Sequence, residues 1–124
     1  MAAGDIKGID IIVISGTLGA ATTVGQVVHL EPDGKWDPVT DSDKGKFGVA
    51  LDAGGDTETA RILIWGPVEV TATAVEIVKG SPVMAGAAGA VCASDYGVIG
   101  ENVGTAIEGI AASGVGTIWV GLVN

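Results

Sequence analysis

Lys46–Gly66 reads KFGVALDAGGDTETARILIWG, two apolar runs joined by a Gly-rich polar turn. Phe47, Val49 and Leu51 share one face at period two in the first run, and Ile62 and Ile64 do so in the second. That alternation is the mark of half-buried strands. The stretch is expected to be a β-hairpin in which 47–53 pairs with 59–65. Its layout returns near the C-terminus in Gly104–Gly121, GTAIEGIAASGVGTIWVG, which predicts a second hairpin of 104–109 with 115–122.

The recurrence extends outward from the hairpins. Gly25 and Gly80 lie 55 apart, as do Val28 and Val83, and Gly34 and Gly89; Gly48 and Gly104 lie 56 apart, as do Ala50 and Ala106, and Ile62 and Ile118. A one-residue loop insertion accounts for the slip. Ala106–Ala112 has a composition that permits a helix, but the duplication makes it a strand like its counterpart Ala50–Gly54. Two copies fall short of the roughly three units a solenoid needs. The fold class expected is therefore all-β with little helix: a small pseudo-symmetric β-sandwich or barrel built from two related units, about 11–66 and 67–123. At 124 residues the chain makes one domain, 9–124, behind a flexible N-terminal arm, 1–8.

Between these anchors the chain reads as follows. In Ile9–Ser15, Ile9, Ile11 and Val13 share one face and Ile12 and Ile14 the other, so the run calls for burial on both sides or against a partner. Gly16–Thr23 is a loop or a poorly patterned strand. Gly25–Glu31 is a strand closed by the turn Pro32-Asp33-Gly34, with Lys35–Val39 returning beside it. Gly66-Pro67 should bend the chain, because proline lacks the N–H of a continuing ladder. Val68 and Val70 then mark another strand, and Ala72–Lys79 is one turn of helix or a loop.

Hydrophobic residues make up 48% of the chain and the mean hydropathy is +0.52. Even so, no apolar run approaches the ~20 residues of a membrane-spanning helix. No basic region precedes the first apolar run, so synthesis and folding in the cytoplasm without a secretory signal is the expectation. Fifteen acidic against six basic side chains give a net charge of −9, which repels a phosphate backbone, so neither nucleic acid nor membrane is an expected partner. The single cysteine, Cys92, forbids an internal disulfide and reads as a small buried hydrophobe. With 21 glycines and five aromatic residues the core must be aliphatic and thin. Such a chain gains stability by burying apolar surface against copies of itself or another protein.

The motifs of catalysis are missing. A P-loop needs G-x-x-x-x-G-K-[ST], but Gly34-Lys35 is followed by Trp36 and Gly45-Lys46 by Phe47. His29, the one histidine, sits in an apolar strand with no G-x-S-x-G nearby. Asp41-Ser42-Asp43-Lys44-Gly45, with Asp52 beyond, departs from a calcium loop in its lysines and its missing closing Glu. The expectation is a protein that is no enzyme and has no catalytic residues, no cofactor and no metal.

Val24-Gly25-Gln26-Val27-Val28, Gly48-Val49-Ala50-Leu51-Asp52-Ala53, Gly66-Pro67-Val68, Gly80-Ser81-Pro82-Val83, Val103-Gly104-Thr105-Ala106 and Ile118-Trp119-Val120-Gly121-Leu122 together resemble the phage capsid cement proteins. The segment from His29 to Val70 also resembles the lambda-type head decoration proteins. The likeness runs from about Ile11 to Val123. It departs at Pro82-Val83-Met84, where many cement sequences carry an aromatic pair, and in a longer loop at 35–46.

The resemblance implies a capsid decoration (cement) protein on the outer surface of a phage head, stabilising contacts between major capsid proteins, commonly as a homotrimer. The alternatives are a β-rich tail or spike module and a ligand-binding β domain. Ile6, Ile9, Ile11 and Ile12 are the expected capsid contacts, through an apolar segment ahead of the duplicated units that adds to a partner's sheet edge. The competing reading makes that segment an ordinary first strand. Trp65 and Trp119, in corresponding closing strands but two positions out of register, are candidates for a self-interface or for the core.

Overall fold

The computed structural model describes residues 11–40, 45–93 and 102–121. The arm 1–8, Ile6, Ile9 and the acidic residues Asp41 and Asp43 lie outside the described residues. The strands are β1 (Ile12–Thr17), β2 (Val27–Leu30), β3 (Trp36–Pro38), β4 (Phe47–Ala50), β5 (Thr59–Thr71), β6 (Pro82–Ala85), β7 (Val91–Ala93), β8 (Asn102–Ala106) and β9 (Val115–Val120). The helical content of the described residues is one 3-10 turn, Ala87–Gly89. All strand pairs are antiparallel, in the order β3-β2-β4-β5-β9-β8-β6-β7, with β1 added alongside β5. The sheet curls into a half-barrel, so of the two forms expected the barrel-like one is adopted.

The order is its own mirror image. β3-β2-β4-β5 in the first lobe answers β7-β6-β8-β9 in the second, and β2 and β6 begin at 27 and 82, 55 apart, while β5 and β9 begin at 59 and 115, 56 apart. Details repeat as well. Leu18 makes a parallel bridge with Trp36, and Ala72 makes one with Val91. Gly19 N–H donates to the Trp36 carbonyl at 2.9 Å, and Thr73 N–H to that of Val91 at 2.9 Å. These bridges draw the open edge of each curled lobe back onto its first strands.

Both expected hairpins form: Val49 faces Leu63 and Ala50 faces Ile62, while Gly104 faces Val120 and Ala106 faces Ile118. Beyond Ala50 and Ala106 the strands give way to matching turns, closed by Glu58 N–H on the Gly55 carbonyl (3.1 Å) and Gly114 N–H on that of Ala111 (2.8 Å). Residues 72–79 form a loop, not a helical turn, pinned by the bridge between Ile77 and Ile110. Likewise β1 ends at Thr17, and isolated bridges at Leu18 and Thr22 carry the chain onward.

The expected break at Gly66-Pro67 does not occur, since β5 runs unbroken for 13 residues across the boundary of the two units. Gly66 instead changes which face the side chains take. Before it, odd-numbered Leu63 faces the main core and even-numbered Ile62 a second cluster; after it, even-numbered Val68 and Val70 face the main core. Its φ of 128° is the conformation that allows this switch and that a Cβ would oppose. Pro67 is tolerated because β1 pairs with β5 only as far as Trp65, leaving that edge without a described partner.

The main core joins both lobes: Val27, Val49 and Leu63 of the first pack with Val70, Val83, Val91, Ile118 and Val120. The second cluster, Leu18, Val28, Trp36, Ala50, Ala60 and Ile62, lies within the first lobe, with Ile14 of β1 and Ile64 of β5 packed against it. With each valine or isoleucine worth about 1.5–3 kcal/mol when fully buried, the thin core is made sufficient by being shared.

Candidate functional site

Ile11, Ile12, Trp65 and Trp119, expected in two separate roles, come together at the middle of β5, where its pairing passes from β1 to β9. Ile12 pairs with Trp65, and a bulge follows at once, because Val13 pairs with Leu63. Ile11 lies over Gly66, with its Cγ1 3.3 Å from where a Cβ would stand. Trp65 lies over Gly121 in the same manner, and there a Cβ would overlap the indole ring. Gly66 and Gly121 share nearly one backbone conformation, with φ of 128° and 129°. One local device, a left-handed glycine covered by a large apolar side chain, is thus used twice.

Trp119 faces Pro67 on β5 and Thr105 on β8. Its ring meets that of Trp65 edge to face, at 5.7 Å between centroids and 89° between planes. This is a favoured aromatic geometry, worth about 0.5–1.5 kcal/mol beyond burial. Both rings remain half-buried, while Ile11 and Ile12 are 51% and 49% exposed. No residue of β1, of β9 or of 62–68 carries an ionisable side chain. The chemistry available here is apolar docking, with no group to move a proton or hold an ion.

Charged groups collect elsewhere in the first lobe. Arg61 grips Asp52 through two hydrogen bonds, Nε to Oδ2 at 3.0 Å and Nη2 to Oδ1 at 2.9 Å, and its backbone N–H donates to Oδ2 at 2.9 Å. The side-chain bonds foremost, then the backbone one, hold the Asp52 carboxyl at about 2 and raise the guanidinium in turn. Lys35 pairs with Asp56 at 3.3 Å. His29, on β2, has its Nε2 3.3 Å from Glu31 Oε1. Cys92 is half-buried, its thiol 3.7 Å from the Ala85 carbonyl.

Sequence reasoning did not find the meeting of the two tryptophans. Trp65 is the counterpart of Gly121, and Trp119 that of Leu63, each 56 apart, so the rings touch only because β5 lies beside β9. The readable signal was a Gly one or two residues after each Trp, in Ile64-Trp65-Gly66 and Trp119-Val120-Gly121.

No family model matches the sequence. No curated protein matches it either. Among solved structures, the chain is similar to the head fiber gp8.5 N base in bacteriophage phi29, with a TM-score of 0.65 over 90% of this chain and 95% of that one, at 11% identity. The two share a fold. At that identity the likeness is architectural, and it extends over nearly the whole of both chains.

Proposed function

We propose that this chain is a structural protein of a phage head, of the decoration (cement) class, seated on the outer surface of the capsid against the major capsid protein. The observation that carries the reading is the shared fold with a head fibre base over 90% of the chain, and the sequence resemblance to cement proteins points the same way. The apolar patch formed by Ile11, Ile12, Trp65 and Trp119 is the surface offered to the coat, because it is exposed, uncharged and held on rigid strands. The chain works as a clamp and not as an enzyme, and its copies gather as homotrimers on the head.

A second reading has its own support. Since the matching structure is the base of a head fibre, the chain can equally be the seat of a projecting module instead of a self-sufficient clamp. Copy number separates the two: a cement protein occupies every equivalent position on the lattice, a fibre base only a subset.

The coat-binding reading is tested by adding the protein back to heads of its phage that lack it and measuring co-sedimentation. Ile12→Asp should abolish binding at unchanged melting temperature, since Ile12 is half exposed. Binding equal to that of the wild type would remove the proposed surface. Deleting residues 2–8 tests the arm separately, by binding and melting measured side by side.

A further inference from the structure

The duplication gives the molecule an internal control for its own surface. The two lobes share backbone design, so a difference in side chains at equivalent positions is not forced by the fold. At the loop end of the first lobe stand Thr23, Asp52, Asp56, Glu58, Thr59 and Arg61; their counterparts in the second lobe are Val78, Glu108, Ala112, Gly114, Val115 and Thr117. One feature is kept where structure demands it: Asp52 accepts the backbone N–H of Arg61, and Glu108 that of Thr117 at 3.0 Å. The remaining charges are gone. Residues 11–66 hold twelve charged side chains and 67–121 only six.

Asp56, Glu58 and Arg61 give way to the uncharged Ala112, Gly114 and Thr117, Thr23 and Thr59 give way to Val78 and Val115, and this region of the second lobe exposes aliphatic side chains. Val75 is 65% exposed, Val78 63%, Val115 62% and Ile107 45%. Residues 76–79 and 109–111 line one shallow depression, tied by the bridge between Ile77 and Ile110. The single cation of the second lobe, Lys79, lies on its rim together with Glu76.

We propose that this loop end of the second lobe is a self-association surface whose occupant is the same end of another copy. Charge selects that occupant. Two chains of net charge −9 repel over most of their surfaces. They can approach where charges are few and of both signs, and here Lys79 of one copy finds Glu76 of the next. The exposed aliphatic side chains are few, so free protein associates weakly and a lattice that concentrates it would complete the contact. The surface is distinct from the Ile11–Trp65 patch, and the inference does not rest on coat binding.

The test is sedimentation velocity on the isolated full-length protein from about 10 µM to about 1 mM. The wild type should show concentration-dependent association. Val78→Asp should weaken it about tenfold or more at unchanged melting temperature. Lys79→Glu and Glu76→Lys should each weaken it alone, and an equimolar mixture of the two should recover it, because each then supplies the charge the other lacks. A wild type monomeric throughout, a Val78→Asp protein that associates like the wild type, or a mixture that fails to recover would each overturn the proposal.

Discussion

Single residues decide more here than the aliphatic composition suggests. Arg61 holds the Asp52 carboxyl at about 2, below its ordinary 3.8, so the folded state takes up that proton less readily than the unfolded one. The stabilisation is therefore complete above about pH 4 and is lost as the pH falls toward 2. Asp52→Asn should lower the melting temperature slightly at pH 7, an exposed pair being a weak one, and the gap from the wild type should close by about pH 2. Thermal melts of both proteins across that range check it. Gly104 has no slack: a Cβ there would overlap the Trp119 carbonyl and approach the Val120 Cα at 3.1 Å. Gly104→Ala should cost at least about 1–3 kcal/mol, measured by urea unfolding. Gly121→Ala should drive Trp65 off its seat and remove the near-UV circular dichroism of the ring pair. The glycines were visible in the sequence as a spaced series, but which of them lie under an indole was not, since that depends on strands distant along the chain.

Among the elements, β5 is where the sequence misleads. Gly66-Pro67 carries the local chemistry of a break, and a reading of neighbours alone ends the strand there. Pairing with β9 from Gly66 to Thr71 overrides it, because the edge that proline spoils is one with no described partner. The duplication, in contrast, was legible, since Gly25 and Gly80, and Gly34 and Gly89, hold positive φ at equivalent places, and the hydrophobic period recurs between the units. Ile62 and Ile118 are counterparts, both fully buried, yet one fills the small second cluster and the other the shared core. Replacing either with alanine should cost about 2–5 kcal/mol. Ile118→Ala should loosen both lobes, whereas Ile62→Ala should act first on β1 and the segment behind it. Hydrogen exchange resolved by residue distinguishes these outcomes.

For the whole molecule, the shared core and the common strand β5 make the lobes one cooperative unit. Calorimetry should show a single transition with equal calorimetric and van't Hoff enthalpies, and residues 11–66 alone should not fold, because Val27, Val49 and Leu63 would lose their partners. A dispersed amide spectrum from that fragment would contradict this. The candidate site was half legible: Ile11, Ile12, Trp65 and Trp119 were each recognisable as apolar residues in want of a surface, but their convergence at the middle of β5 is a property of the topology. The central claim, that this patch seats the protein on a phage head, is tested most directly by a cryo-EM reconstruction of the particle whose genome encodes the chain. The account requires the curled sheet of 11–121 on the outer face of the head, with Ile11, Ile12 and Trp65 turned toward the coat. Density for the chain in the tail, or on the head with that patch facing solvent, would contradict it.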